Sequence, residues 1–133
     1  MPATLAALPK GHEFPPTTFT LSPEWVDAYI EAVGDTAIRD LGPSLVPPMA
    51  IAALSIRALI EASPLPPGTL HAGQELAFHR AEKIGDQLTV TATIVSRGER
   101  AGWVLLSVDL NVSAGADPVM TGRGTLTFPV EPA

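Results

Sequence analysis

Cysteine is absent from the 133-residue chain. Disulfide scaffolds, thiolate zinc sites, iron–sulfur clusters and cysteine nucleophiles are therefore excluded. Basic residues are scarce: eight Lys and Arg stand against fourteen Asp and Glu, which gives a formal net charge of −6. Nucleic-acid binding needs a basic face that displaces counterions, and polybasic membrane binding needs clustered cations. The composition therefore argues against nucleic acid and against a membrane surface as partners.

Long apolar runs are also missing. The longest, residues 45–62, is interrupted by three polar residues. As a helix it spans roughly 20 Å, which is less than the hydrocarbon core of a bilayer. The first nine residues have neither the basic nor the apolar segment of a signal peptide. We expect one cytoplasmic domain over residues 1–133, with an irregular lead-in over residues 1–16.

The first predicted helix follows this lead-in and a weak edge strand over residues 17–21. Ser22 suits the N-cap position, Pro23 the first helical position, and Glu24 the acidic first turn. Apolar residues then recur at helical spacing until Gly34, where a glycine is typical of a helix end. The pattern predicts an amphipathic helix that packs on the body of the domain.

The second predicted helix begins at Pro48, after a polar loop over residues 35–47, and ends at Ala62. It is apolar nearly all round, and its length favours enclosure by protein over a membrane span. Arg57 and Glu61 are four residues apart, which predicts either an ion pair or the one wet edge of the helix.

Alternation of apolar and polar residues predicts four strands after Gly68, separated by short glycine-containing turns. The first apolar series consists of Leu70, Ala72, Leu76 and Phe78, the second of Leu88, Val90, Ala92 and Ile94, the third of Val104, Leu106, Val108, Leu110 and Val112, and the last of Met120, Gly122, Gly124, Leu126 and Phe128. The simplest architecture is α+β, with a curved antiparallel sheet wrapped around the long apolar central helix.

Four stretches resemble one known superfamily: residues 22–35, Val46-Pro-Pro-Met49, residues 70–80 (LHAGQELAFHR) and Ile84-Gly-Asp-Gln-Leu88. They resemble the MaoC-like hydratase/dehydratases, and their N-terminal-type dehydratase domains in particular. The resemblance implies a hot-dog fold and, as substrate, an acyl thioester of coenzyme A or acyl carrier protein. No cofactor is expected. The open sheet edges predict a homodimer, or a heterodimer with a catalytic hot-dog partner.

Active hydratases of this superfamily carry a D-x4-H motif, whose acid and imidazole hold and activate one water. Gly34 and Asp35 match its start, but Asp40 stands where the histidine is expected. The resemblance implies a catalytic role for Asp35. An ordinary role as a loop residue after the end of a helix explains an aspartate at this position equally well. Asp40 is either a loop residue or a base whose pKa a neighbouring carboxylate raises. Several N-terminal-type domains of the superfamily lack the dyad and hold substrate beside an active partner, and this chain resembles those domains.

The start of the central helix is the candidate substrate-binding element. Pro48 lacks an N–H group, so the first free donors are expected near Met49 and Ala50. In the superfamily this helix end polarises the thioester carbonyl, although Pro48 also fits ordinary first-turn chemistry. Arg80 is one of the few cations and is a candidate ligand of coenzyme A phosphates.

His71, Glu75 and His79 are spaced as H-x3-E-x3-H. On a strand, positions four apart lie roughly 13 Å from each other, so one metal ion does not span them. We therefore expect no metal site. His71 alone is a candidate for the mouth of a substrate tunnel, as a hydrogen-bond donor or surrogate base, or is a surface histidine.

Two further features concern the surface of the sheet and its strand pairing. Trp103 lies opposite the core-facing residues of its strand, which favours a subunit contact. Gly122 and Gly124 indicate a bulge or a close approach of the helix. Two alternative functions remain open: a hot-dog acyl-CoA thioesterase, which needs a carboxylate or nucleophile facing the thioester, and a non-catalytic acyl-binding module.

Overall fold

The computed structural model describes residues 5–130. After a short 3-10 turn at Leu5–Ala7, the elements are β1 (Glu13–Thr20), α1 (Pro23–Val33), α2 (Ile38–Leu41), α3 (Pro48–Ala62), β2 (Leu70–Phe78), β3 (Gln87–Arg100), β4 (Trp103–Ala114) and β5 (Asp117–Pro129). The strands form one antiparallel sheet in the order β1-β3-β4-β5-β2. This confirms the predicted α+β architecture, in which the sheet curves around the central helix α3.

The ends of α1 follow the local rules that predicted them. The Ser22 hydroxyl accepts a hydrogen bond from the Trp25 N–H at 3.2 Å. Gly34 ends the helix with a φ of 75°, a left-handed conformation that costs glycine little. The structure corrects the predicted loop over residues 35–47, because this segment contains the short helix α2.

The irregular lead-in over residues 1–16 is also a prediction that the structure corrects. β1 already begins at Glu13, because Phe14 is buried and pairs with Ala92 of β3. A register shift between Phe14 and Thr17 accommodates the two intervening prolines. Prolines are tolerated there since β1 is an edge strand whose outer N–H groups need no partner strand. Residues 1–4 of the lead-in lie outside the described part of the chain.

The core is formed by the predicted apolar faces of β3 and β4. Each residue of both apolar series is at most 5% exposed. β2 differs from the prediction: Leu70 is 57% exposed and Phe78 is 39% exposed. The reason is topological, since β2 is the last strand of the sheet and pairs with β5 alone among the described strands.

α3 buries only one side against this core. Ile51 and Ser55 are buried, whereas Met49 is 53% exposed and Ile60 is 39% exposed. The prediction of a helix enclosed all round is therefore wrong for the single chain, because one sheet covers one side of a helix. The predicted ion pair of Arg57 with Glu61 is present at 2.9 Å. Within residues 5–130 no helix is both long and apolar enough to cross a bilayer.

Candidate functional site

An apolar cavity of about 90 Å³ lies between the second half of α3 and strands β2, β4 and β5. Helix positions 56, 59 and 60 face it together because residues three and four apart share a helix face. Two polar side chains, those of His71 and Gln74, meet its otherwise apolar wall. The complete lining is Ile56, Leu59, Ile60, Leu65, His71, Gln74, Val108, Leu110, Gly124 and Leu126.

A β-bulge explains how His71 reaches this cavity. His71 pairs with Leu126, and Gly73 pairs with the preceding residue of β5, so Ala72 is left without a partner of its own. In a regular strand, residues three apart point to opposite faces. The extra residue of the bulge brings His71 and Gln74 to the same face. Their side chains meet there, with 3.0 Å between His71 Nε2 and Gln74 Oε1.

Two glycines of β5 make room for the Gln74 side chain. A Cβ atom at Gly124 would lie 3.0 Å from Gln74 Oε1, and a Cβ atom at Gly122 would lie 2.9 Å from the Glu75 carbonyl oxygen. The bulge predicted near these glycines therefore lies across from them in β2. The close approach comes from Gln74, not from the helix. Gln74 was missed by the sequence analysis, although a glycine pair facing a polar strand residue is a readable signal.

The two carboxylates of the predicted catalytic motif lie elsewhere. Asp35 follows the end of α1, where its N–H donates to the Ile30 carbonyl at 3.2 Å. Asp40 is exposed on α2. Within the described residues, neither carboxylate lines the cavity that contains His71.

Ion pairs hold α2 against the polar face of α1. The Arg39 guanidinium lies 3.3 Å from a Glu31 carboxylate oxygen and 3.8 Å from one of Asp27. Arg39 directly precedes Asp40, so these contacts fix the backbone beside the position that the motif assigns to histidine. All three side chains are substantially solvent-exposed, so the pairs position α2 without contributing much stability.

The start of α3 is displaced from the cavity along the helix. The Ala50 N–H donates to the Pro47 carbonyl at 2.9 Å, so this predicted donor is already engaged. Met49 is half exposed and Pro48 is exposed. None of the predicted substrate-binding residues Pro48, Met49 and Ala50 lines the described cavity, whose helical wall begins at Ile56.

Arg80, the predicted phosphate ligand, contacts two carboxylates. Its Nε lies 2.8 Å from Oε1 of Glu82, and its Nη1 lies 2.9 Å from Oδ2 of Asp117. Glu82 is fully buried. The Arg80 contact is an ion pair rather than a well-aligned hydrogen bond, and neither Glu82 oxygen accepts a well-formed hydrogen bond from the described residues.

Burial is the main cause that raises the pKa of Glu82, and the neighbouring Asp86 carboxyl raises this pKa further against the attraction of Arg80. The neighbouring Glu82 carboxyl is the main cause that lowers the pKa of Asp86, and the Lys83 N–H, which donates to Asp86 at 2.8 Å, also lowers it.

The Glu82 segment also holds the chain that enters α3. The Val46 N–H donates to the Glu82 carbonyl at 3.0 Å, and the Ile84 N–H donates to the Ser44 carbonyl at 2.8 Å. Two prolines follow Val46 and open the helix. The buried carboxyl and the helix start therefore belong to one connected piece of backbone.

Among residues 5–130, no three His, Asp or Glu side chains gather in a way that could hold a metal ion. Trp103, the predicted subunit contact, is 39% exposed, and Leu105 of the same strand is 43% exposed. Both side chains lie on the outer face of the sheet, so the subunit contact stays a prediction.

The order of the elements, with one antiparallel sheet curved around a central helix, is that of a hot-dog fold. The family profile of the FAS1-like dehydratase domain region matches residues 9–121, and the chain belongs to this family. Comparison with curated protein sequences gave no match.

Solved structures share the fold over nearly their whole length. A MaoC-like dehydratase from Rhodospirillum rubrum superposes with a TM-score of 0.73 at 16% identity, over 98% of this chain and 99% of that one. The HadBC (3R)-hydroxyacyl-ACP dehydratase complex from Mycobacterium tuberculosis gives 0.73 at 21% identity, over 93% and 100%. The R-hydratase PhaJ1 from Pseudomonas aeruginosa gives 0.67 at 24%, over 96% and 90%.

Proposed function

We propose that this protein binds a short acyl thioester and is the substrate-holding half of a hydratase/dehydratase, with the acyl chain in the cavity beneath α3. The observation that carries the proposal is the cavity itself, whose walls are apolar except at His71 and Gln74. An acyl chain needs apolar walls, and a thioester or hydroxyl group next to it needs a few well-placed polar partners. His71 is exposed, so these partners lie where the cavity meets solvent.

The size of the cavity supports a short acyl chain. Its volume of about 90 Å³ suits roughly three or four carbon atoms, since a cavity of about 150 Å³ holds the six carbons of benzene. Leu65 and Leu126 are only partly buried beside it. A long acyl chain would have to displace such side chains from contacts with the core, which costs free energy.

A substrate-holding role follows from the catalytic motif. Asp40 replaces the histidine, and neither Asp35 nor Asp40 lines the cavity in this chain. The water-activating acid and imidazole would then come from a partner hot-dog subunit. The HadBC complex is a precedent of the same fold for a dehydratase made of two different chains.

The partner would dock along the outer edge of β2. No strand of the described residues 5–130 pairs with this edge, and its flanking side chains Leu70 and Phe78 are exposed. Open strand edges with apolar neighbours favour pairing with another strand. A second copy of this chain or a catalytic partner fits the same edge.

An activity assay tests this proposal. The purified chain is mixed with crotonyl-CoA, and loss of the enoyl absorbance and release of free thiol are followed in parallel. We expect neither reaction from the chain alone. Hydration that Asp35→Asn abolishes would contradict the substrate-holding role and indicate a self-sufficient hydratase. Thiol release would indicate a thioesterase.

A further inference from the structure

The hydrogen bonds around Gln74 define which ring nitrogen of His71 carries a proton. Gln74 contacts His71 Nε2 through its Oε1 at 3.0 Å, and its Nε2 donates to the Glu75 carbonyl oxygen at 3.2 Å. A carbonyl oxygen only accepts hydrogen bonds. The amide nitrogen of Gln74 must therefore face Glu75, and the amide oxygen must face the imidazole.

The orientation of the amide leaves one arrangement for the neutral imidazole. An amide oxygen also only accepts, so His71 Nε2 must be the N–H donor of this pair. A neutral imidazole holds one proton on its two nitrogens, so Nδ1 keeps a free lone pair. We infer that Gln74 is a positioning residue that holds His71 as the Nε2–H tautomer, with Nδ1 as the hydrogen-bond acceptor available to a ligand in the cavity.

The surrounding backbone keeps this pair in place. The bulge at Ala72 turns both side chains to one face, and Gly124 leaves space for the Gln74 amide. Since a Cβ atom at Gly124 would lie 3.0 Å from Gln74 Oε1, any larger residue there pushes the amide away from the imidazole. Two features, one from each strand, thus converge on one hydrogen bond.

An acceptor at Nδ1 would also select between ligands, provided that the proposed function is correct and the cavity holds an acyl chain. An acceptor nitrogen beside an acyl chain bonds a hydroxyl group, but not the corresponding methylene group. The cavity should therefore prefer a 3-hydroxyacyl thioester to the saturated thioester of the same length. One added hydrogen bond corresponds to a roughly two- to tenfold difference in affinity.

The tautomer is tested on the free chain by long-range ¹H–¹⁵N correlation spectra of protein labelled at histidine, at a pH where the imidazole is neutral. We expect His71 Nε2 to be protonated, Nδ1 to be unprotonated, and the Nε2 proton to be visible through slow exchange with water. A protonated Nδ1 in the wild-type chain overturns the inference.

Variants separate positioning from mere structural support. Gln74→Met keeps the length of the side chain but removes the acceptor, so the Nε2 proton signal should be lost. Gln74→Glu keeps an acceptor and should retain the signal. Gly124→Ala should weaken the signal without changing either partner, whereas Gly98→Ala, whose Cβ would have no neighbour within 4 Å, should not. Circular dichroism confirms that each variant folds. Retention of the signal in Gln74→Met contradicts the positioning role.

The ligand arm compares 3-hydroxybutyryl-CoA with butyryl-CoA by calorimetry. We expect the hydroxylated ligand to bind more tightly to the wild-type chain and the preference to disappear in Gln74→Met. If neither thioester binds while the spectra show the expected tautomer, the proposed function fails and the tautomer stands. If both bind equally to the wild-type chain, Nδ1 does not serve as the ligand's acceptor.

Discussion

The buried Glu82 carboxyl lies 2.8 Å from the Arg80 guanidinium, yet its pKa is raised. Loss of water on burial is the largest cause, and the neighbouring Asp86 carboxyl acts in the same direction. The nearby charges are Arg80, Asp86 and Lys83, with Asp117 on the far side of Arg80. A single cation that is itself 44% exposed does not compensate for complete burial of the carboxylate.

Glu82→Gln should therefore change how stability depends on pH. A carboxyl with a raised pKa stabilises the fold fully below its ordinary pKa of 4.5, and this contribution is lost as the pH rises through the folded-state pKa. Asp86, whose pKa is lowered, stabilises the fold at higher pH, and this contribution is lost only as the pH falls below its ordinary pKa of about 3.8. Above pH 4.5, the unfolding free energy of the wild-type chain should fall relative to that of Glu82→Gln.

Urea unfolding at pH 4.5, 6 and 8 measures this difference. Glu99→Gln is the matched control because Glu99 is exposed on β3. Parallel pH profiles for Glu82→Gln and the wild-type chain would show that Glu82 stays ionised in the fold.

The two faces of β4 give a second prediction. Leu106 is completely buried, whereas its neighbour Leu105 is 43% exposed on the outer face. Leu106→Ala should lower the free energy of unfolding by about 2–5 kcal/mol, since it leaves a cavity under the central helix. Leu105→Ala should cost less than about 1 kcal/mol. Urea denaturation compares the two, and equal losses would show that the register of β4 is wrong.

The hairpin between β3 and β4 gives a third prediction, which concerns its turn. Arg100 pairs with Trp103 across a two-residue turn in which Ala101 has a φ of 53° and Gly102 a φ of 84°. Turns of this kind match the twist of the strands but require left-handed conformations. Gly102→Ala should destabilise the chain by about 1 kcal/mol, and Ala101→Gly should stabilise it by a few tenths. Thermal unfolding measures both, and shifts of equal sign would contradict the turn geometry.

The cavity beneath α3 gives a fourth prediction, which concerns ligand binding. Leu126→Phe adds volume to its wall, so it should weaken binding of butyryl-CoA at least tenfold, which corresponds to about 1.4 kcal/mol. Leu105→Phe makes the same change on the outer face and should leave binding unaltered. Calorimetric titration of both variants decides the matter, and similar affinities would place the ligand outside the cavity.

Local signals predicted most of the fold. The cap at Ser22, the glycine at position 34 and the alternation in β3 and β4 each act over a few residues, so they are legible in the sequence. The exposure of Leu70 and Phe78 could not be predicted in this way. It depends on β2 being the last strand of the sheet, which is a property of the topology.

The candidate site was less predictable for a related reason. The sequence indicates His71 as a candidate, but strict alternation places His71 and Gln74 on opposite faces of β2. One extra residue at Ala72 reverses the faces of the strand beyond it, so the two side chains share a face. Gln74 became visible only when β2 was placed beside Gly124. The roles of Asp35 and Asp40 remain a prediction from the motif.

The most direct test of the central claim is calorimetric titration of the purified wild-type chain with butyryl-CoA and, separately, with free coenzyme A. If the cavity holds the acyl chain, butyryl-CoA should bind at least tenfold more tightly, with a negative heat-capacity change from burial of apolar surface. Equal affinity for the two ligands, or no binding of either, would contradict the assignment of this protein as an acyl-thioester-holding member of its family.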